Sequence, residues 1–485
     1  MSPNKFSIPT KRKTKIVVTI GPASSSAEVI RKLIGAGMNV ARLNFSHGSY
    51  AEHEAVLNHV RNEAANLGQH VAVMVDLCGP KVRIGAVKGG EIILKENDNI
   101  LLSHFDGSTG NHKTLYVEAF DPREVMKVGE TALLADGRIE LKAEEVTSKG
   151  VRCRICAGGI VRSRSGIAVP DSTLNLPCIT DKDLSDIAWA TEHEADYIAL
   201  SFVSNVRDVL RLREIVRSRN SSSHIIAKIE RASSLDNINE IIEASDAVMV
   251  ARGDLGLELP FARVPLAQKL IIETANYHGT PVITATQMLQ SMVTEVRPTR
   301  AEVSDVCTAV KDGTDAVMLS EETAVGKYPV HVVETLDKIL VEVEAGFEFE
   351  EYKPRLKGAD RETVADAICY AACGAANKVG ASAILACTQS GHTAQLVAKY
   401  RPQQALFGAT SEKKVLARMA LYWGVYPVLF SIHEEHMTEA EVVSAMITVR
   451  DQFGLKPGSR VVVTAGLRAK KSGTTSLMEI REIPR

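Results

Sequence analysis

The chain has 485 residues, 45% of them hydrophobic and 24% charged, with a formal net charge of -2. A length of this kind suggests about three domains. The near-zero charge excludes bulk attraction to nucleic acid or an anionic membrane, so any phosphate binding must be local, and no apolar run reaches the roughly 18 residues of a membrane span.

The opening stretch, MSPNKFSIPTKRKTK, is basic and lacks the apolar core and cleavage site of a signal peptide. It reads as a solvated leader. From there short β-branched runs alternate with amphipathic stretches. The runs are IVVTIG (16–21), VARLNFS (40–46), VAVMVDL (71–77), YIALSFV (197–203), HIIAKIE (224–230), AVMVARG (247–253), PVITATQ (281–287) and AVMLSEE (316–322). Continuous apolar runs of this length fit strands buried on both faces of a parallel sheet. The intervening EVIRKLIGAG and EHEAVLNHVRNEAANLG carry helical spacing and close near glycine. Eight such units predict an α/β fold built on a (β/α)8 TIM barrel.

Most strand starts lie 23 to 35 residues apart, but the third and fourth are separated by 126. The long interval contains EIILKENDNILL, TALLADGRIELKAEEVT and GVRCRICAGG, which alternate around Gly-rich turns. They predict a small β-barrel domain inserted after strand three. Cys153 and Cys156 within it form the one CxxC, without a second pair or a nearby His, so they read as structural. Scattered cysteines fit a reducing cytoplasm. After about residue 345 a polar linker leads to SAILACT, ALFGAT, VYPVLF and RVVVTAG, a C-terminal three-layer α/β domain. The expected boundaries are 1–82 and 173–345 for the barrel, 83–172 for the insert and 346–485 for the last domain.

Active sites of such barrels lie at the C-terminal strand ends. Polar residues gather there: Arg42, Asn44, Ser46 and His47, then Asp76, Ser201, Lys228 and Glu230. Arg252, Asp254, Thr284, Thr286, Ser320, Glu321 and Glu322 follow. Glu230 and Asp254 are hard oxygen donors from neighbouring strands, suited to Mg²⁺ or Mn²⁺, and the absence of His or Cys beside them disfavours zinc. Lys228 falls on the same side of its strand as Glu230. Arg42 offers a planar fork for phosphate, though an ion pair with a surface carboxylate is the plainer role for it and for Arg83. His47 is as readily a packing residue. ARGDLGLELP opens a loop whose amides at Gly253 and Asp254 suit an anion. Metal, Lys and Arg without a nucleophilic Cys or Ser point to phosphoryl transfer or enolate stabilisation.

Together TKIVVTIGPAS, GMNVARLNFSHGSYAEH, AKIE, SDAVMVARGDLGLELP, ITATQMLQSM, RPTRAEVSDV, DAVMLSEETAVGKYP and SGHTAQLVAKYRP give the chain, over nearly its whole length, a pattern that resembles pyruvate kinase. The resemblance implies transfer of the phosphoryl group of phosphoenolpyruvate to ADP, giving pyruvate and ATP. It implies that Lys228 stabilises the transferring phosphoryl and that Glu230 and Asp254 ligate a protein-bound Mg²⁺. Gly253 and Asp254 would seat the substrate carboxylate, Thr286 would lie beside the enolpyruvate, and Ser320 would belong to the proton relay. Arg42 matches a contact to substrate phosphate and nucleotide. His47 and Arg83 match the nucleotide side, where a second Mg²⁺ arrives with ADP. Asp136 matches a lid aspartate that closes toward the metal.

The family's monovalent-cation ligands match Asn44, Ser46, Asp76 and the position of Leu77. K⁺-requiring members typically read DTKGPE there, whereas this chain reads DLCGPK. The expectation is that the Lys81 ammonium stands in for K⁺, which is then not required. Two further departures are RSRSGIAVP, with Ser165 and Ala168 at the family's Lys and Asn places, and Glu321 where the family often has Gly. CTQSGHT matches an effector loop, with Thr388, Ser390 and Thr393 facing Ser472 and Thr474 of KKSGTTS. That implies activation by a sugar phosphate or an AMP-type effector, unless the loop is inherited but unregulated. A cytoplasmic homotetramer is implied. The competing readings are another Mg²⁺-dependent phosphoenolpyruvate/pyruvate barrel, such as a mutase or aldolase, and a catalytically silent phosphometabolite sensor.

Overall fold

The computed structural model describes residues 12–172, 174, 176–346, 363–430, 438–466 and 475–485. Eight parallel strands close into a barrel: β1 (Lys15–Ile20), β2 (Val40–Asn44), β3 (Ala72–Asp76), β4 (Tyr197–Leu200), β5 (His224–Ile229), β6 (Ala247–Ala251), β7 (Val282–Ala285) and β8 (Ala316–Leu319). Each pairs with its sequence neighbours, and β1 closes the ring on β8 through Lys15↔Ala316 to Val18↔Leu319. The strands are buried on both faces because alternate residues serve two cores. Ile16, Val18, Val73, Val75, Ile198 and Leu200 pack outward under the helices. Val17, Met74, Tyr197, Met249, Ile283 and Met318 fill the interior. Every predicted run extends one to three residues past the C-terminal end of its strand, and Arg42, Asn44, Asp76 and Lys228 lie within the strands themselves.

Local chemistry explains the helices. The helix Tyr50–Leu67 begins at a Ser49/Glu52 capping box and ends at Gly68 with φ 64°, a left-handed conformation that glycine adopts without strain. The turn after β3 depends on Gly79, φ +65°, where a Cβ would fall 2.8 Å from the Ser201 Cβ. No larger residue fits without moving β4.

Between β3 and β4 lies the insert. Its six-stranded sheet runs Ile167–Ala168, Thr131–Leu134, Ile139–Thr147, Gly150–Ala157, Asn99–His104, Thr114–Val117, beside the pair Gly159–Arg162 and Glu91–Leu94. Cys153 lies in the core of the insert while Cys156 sits half-buried at an odd register from it, so the CxxC does not converge on a metal.

The C-terminal sheet has β9 (Ala383–Cys387), β10 (Ala405–Thr410), β11 (Val425–Leu429), β12 (Arg460–Gly466) and β13 (Thr475–Glu482), in the order β11-β10-β9-β12-β13. Only β13 is antiparallel, paired with β12, and it lies on the sheet edge. The predicted runs cover the other four and miss this one. Its domain docks on the barrel floor, and one apolar cluster runs from the barrel interior into Ala394, Leu421 and Tyr422.

Residues 12–15, the described part of the basic leader, depart from the expectation of a solvated leader; the rest lies outside the described residues. Arg12, Thr14 and Lys15 are buried where barrel and C-terminal domain meet. Arg12 pairs with Asp337 at 2.6 Å and donates to the carbonyls of Thr14 and Gly37. The Lys13 ammonium donates to the carbonyls of Pro402, Gln403 and Gln404 and lies 5.1 Å from the centre of the Trp423 ring. Lys15 Nζ donates to the Val425 carbonyl at 2.7 Å. On the other side, Arg401 pairs with Asp315 at 2.6 Å, and Arg418 donates to the Ser222 carbonyl. No helix of the described residues is long and apolar enough to cross a membrane.

Candidate active site

The strand ends bring a charged cluster together at the barrel mouth. Asp76, the last residue of β3, is 1% exposed, and at that depth a carboxylate must be paired. Arg42 on β2 donates Nε–H to Asp76 Oδ2 at 2.6 Å and Nη1–H to the Thr19 hydroxyl at 3.0 Å. Lys228 on β5 reaches Asp76 Oδ1 at 3.1 Å, Glu230 Oε1 at 2.9 Å and the Ser201 hydroxyl at 2.6 Å. Arg42 does make an ion pair, but its carboxylate is a buried strand-end residue rather than a surface one.

The electrostatics follow from this packing. Burial pushes the Asp76 carboxyl up, but Lys228 and Arg42 outweigh it and hold the group below the usual carboxylate range. Burial likewise penalises the Lys228 ammonium, and Asp76 with Glu230 reverses that, leaving it above its ordinary value. Glu230 lies higher than usual, first through burial, with Lys228 opposing and the negative charge of Asp254 adding to the rise. A buried carboxyl raised in part by a neighbouring carboxylate is relieved by a divalent cation as well as by a proton. The all-oxygen pair therefore fits Mg²⁺ or Mn²⁺, which take one or two carboxylates and complete the shell with water and substrate oxygens. Glu230 Oε2 is fixed by the Phe202 amide at 2.7 Å.

The rest of the mouth is built from β6, β7 and β8. Gly253 lies in the short helix Arg252–Glu258 directly after β6, and its amide donates to the Thr286 hydroxyl at 2.9 Å. The expected free amide at Gly253 is thus engaged. The Thr286 hydroxyl in turn donates to the Ala285 carbonyl at 2.6 Å. Ser320 follows β8, and its amide donates to Glu322 Oε2 at 2.7 Å. Glu322 is fully buried, and its other oxygen accepts the Leu289 amide at 3.2 Å, tying the β7 and β8 exits together.

Asn44 Oδ1 accepts the Ser46 amide at 3.1 Å. His47 is exposed, and its carbonyl lies 2.9 Å from His53 Nε2. Leu77 is buried, with its carbonyl accepting the Ser201 hydroxyl at 2.7 Å. The Lys81 ammonium sits 3.4 Å from Asp254 Oδ1 and 3.9 Å from Asp136 Oδ1 of the insert. It bridges Asp254 and Asp136 of the insert rather than joining Asn44, Ser46 and Asp76, and the cations on Asp76 are Arg42 and Lys228. A cleft between insert and barrel, lined by Lys81, Asp136, Phe202, Arg231 and Asp254, lies beside this bridge. Arg83, at the entry of the insert, donates to the Arg164 carbonyl at 3.0 Å, and Asp136 occupies a left-handed turn at φ 57°.

In the C-terminal domain the Thr388 hydroxyl accepts the Gly391 amide at 3.0 Å, and the Thr393 hydroxyl lies 2.7 Å from that of Thr475. Ser390 is half-buried on the same loop. Ser472 and Thr474 lie outside the described residues. Thr19 is a site residue that sequence reasoning passed over. A threonine inside the apolar run IVVTIG is the signal that marks it, and its hydroxyl links Arg42 to the Leu319 carbonyl.

Comparison with known proteins agrees with this architecture. The profile "Pyruvate kinase, barrel domain" matches residues 11–333, and "Pyruvate kinase, alpha/beta domain" matches 366–481. The pyruvate kinase of Geobacillus stearothermophilus is 42% identical, covering 98% of this chain and 81% of its own length. That of Clostridium acetobutylicum is 38% identical over 97% of this chain and 100% of its own. A crystal structure of a pyruvate kinase from Cryptosporidium parvum superposes with a TM-score of 0.91 at 34% identity, covering 98% of this chain and 96% of that one.

Proposed function

The chain belongs to the pyruvate kinase family, phosphotransferases that pass the phosphoryl group of phosphoenolpyruvate to ADP, and we propose that the cluster at its barrel mouth carries out that transfer. The observation that carries this reading is the ion-paired set Arg42–Asp76–Lys228–Glu230, with Asp254 beside it. Phosphoryl transfer demands positioning and charge neutralisation rather than a protein nucleophile. Lys228 and Arg42 hold the transferring phosphoryl, and Asp76 keeps both cations in place. Glu230 and Asp254 hold Mg²⁺, which supplies Lewis-acid stabilisation of the phosphoryl oxygens and the enolate. Gly253, Asp254 and Thr286 position the substrate, and Ser320 belongs to a relay that takes a proton from water and passes one toward C3 of the enolate.

His47 and Arg83 serve the nucleotide, with a second Mg²⁺ arriving alongside it. Residues 83–172 act as a lid whose Asp136 approaches the metal side, and the barrel occupies 1–82 and 173–345. Lys81 supplies the positive charge that K⁺ would otherwise bring, from a place on Asp254 and Asp136 that supports a role in charge balance and lid position rather than from within the Asn44, Ser46 and Asp76 ligand set. The loop Thr388–Thr393 of the 346–485 domain binds an activating sugar phosphate or AMP-type effector, and the assembly is a cytoplasmic homotetramer.

The test is formation of ATP from phosphoenolpyruvate and ADP, repeated across sugar phosphates and AMP, with and without K⁺. Consumption of phosphoenolpyruvate without ATP would favour a mutase or aldolase. Binding without turnover would favour a sensor.

A further inference from the structure

Thr286 and Gln287 leave β7 in consecutive left-handed conformations, φ 68° and 53°. Neither is glycine, and such backbone persists only where its surroundings over-determine it. The surroundings are one guanidinium. Arg252 donates Nε–H to the Ala285 carbonyl at 3.2 Å and Nη2–H to the carbonyls of Thr286 at 2.6 Å and Gln287 at 3.4 Å. The same nitrogen lies 2.8 Å from Met288 Sδ. Nη1 is held by both oxygens of Asp305, at 2.8 and 2.7 Å, and by Gln268 Oε1 at 3.3 Å. The Arg252 side chain is 13% exposed, so these contacts replace water almost entirely.

The geometry has a direct bearing on the seat. Arg252 is the residue before Gly253, so its backbone moves with the Gly253 amide and Asp254. Its side chain grips the three successive carbonyls that set where Thr286 points. One residue therefore fixes both halves of the Gly253 N–H to Thr286 Oγ contact. A lysine keeps the charge but cannot present the planar fork that reaches Ala285, Thr286 and Asp305 together.

We propose that Arg252, oriented by Asp305 on the helix Arg300–Asp312, is a positioning residue that holds the strained β7 exit so that Thr286 meets the substrate. This inference rests on the reading of Thr286 as a site residue. It predicts that Arg252 acts through Thr286, and that its loss lowers kcat more than it raises KM for phosphoenolpyruvate.

The experiment is a double-mutant cycle on the full chain with phosphoenolpyruvate and ADP. It compares Arg252→Ala, Thr286→Ala and the pair, with Arg252→Lys and Asp305→Asn as milder variants. Misplacing a reacting group by about 1 Å costs on the order of 100-fold, so Arg252→Ala should lose about that factor in kcat. Arg252→Lys should lose at least about tenfold, and Asp305→Asn should lose less. The pair should be no slower than the slower single variant. Methylguanidinium should restore part of the Arg252→Ala rate and none of the rate of the pair. Multiplicative losses in the cycle, or a wild-type kcat for Arg252→Lys, would overturn the inference while leaving Thr286 in the site. A wild-type kcat for Thr286→Ala would remove the reading beneath it.

Discussion

Replacing Lys15 by Met should abolish most of the pH dependence of C-terminal domain stability near neutrality. The Lys15 ammonium is buried with one carbonyl acceptor, Val425, and the face of Tyr426 at 5.5 Å. Glu344 nearby spends its oxygens on the amides of Lys13 and Thr14. Burial first, then the charge of Arg12, bring Lys15 down to about 7 from 10.5, with Glu344 opposing. An unfolded Lys15 keeps its proton up to the ordinary value, whereas the docked one sheds it near 7. The native state thus binds fewer protons between these limits. Stability therefore rises with pH above about 7 and is flat, with respect to this group, below it. From pH 6.5 to 8.5 the gain is about 2 kcal/mol. Lys13, brought to about 8 chiefly by burial, adds a smaller rise of the same sign. The assay is urea unfolding followed by the fluorescence of Trp423, which lies under Lys13, in a Trp189→Phe background that removes the only other tryptophan. The Met variant should be the more stable of the two at pH 6.5, and the advantage should shrink by about 2 kcal/mol at pH 8.5. Parallel pH slopes for the two proteins would refute the reasoning.

Lys228→Met should lower kcat by at least about 1,000-fold, since it removes a fixed charge from the transferring phosphoryl. Circular dichroism should stay that of the parent, and retained turnover would dismiss the role. Lys81→Glu should create a K⁺ requirement in a chain that otherwise turns over equally in K⁺-free buffer, read as rate against added KCl. Glu230→Gln should raise the Mg²⁺ concentration needed for half-maximal rate and weaken Mn²⁺ binding seen by electron paramagnetic resonance. Unchanged Mn²⁺ affinity would place the metal elsewhere.

The barrel was legible because eight β-branched runs buried on both faces have few alternatives to a closed parallel sheet. The site was legible because Arg42, Asp76, Lys228 and Glu230 follow those runs where strand ends converge, and the structure joins them within 3.1 Å. What escaped depended on distant chain. Nothing local marks Lys13 as buried, since its acceptors are the carbonyls of Pro402 to Gln404, which only the docked domain supplies. The edge strand β13 escaped because SLMEIRE is mixed in polarity and pairs on one side only. The reach of Lys81 escaped because a position on the turn beyond β3 does not say which way a flexible side chain points, and here it points toward Asp136 of the insert.

The charge arrangement at the mouth has a consequence for how substrate enters. Asp76, Glu230 and Asp254 face Arg42, Lys228 and Lys81, three carboxylates against three cations, each in contact with the opposite sign. These charges balance one another, which is how the four most deeply placed, Arg42, Asp76, Lys228 and Glu230, avoid the cost of an unpaired buried ion. A substrate carrying phosphate and carboxylate brings negative charge into this balance, and a divalent cation on Glu230 and Asp254 offsets it. The two ligands thus favour each other. Glu230 and Asp254, which we propose hold Mg²⁺, would then turn from Lys228 and Lys81, and those ammonium groups would be left to face the incoming anions. Asp76, enclosed by Arg42 and Lys228 and 1% exposed, would keep both cations. That is the role the geometry supports for the carboxylate at the end of β3: it holds Arg42 and Lys228 together, aligned for the phosphoryl group that we propose they meet.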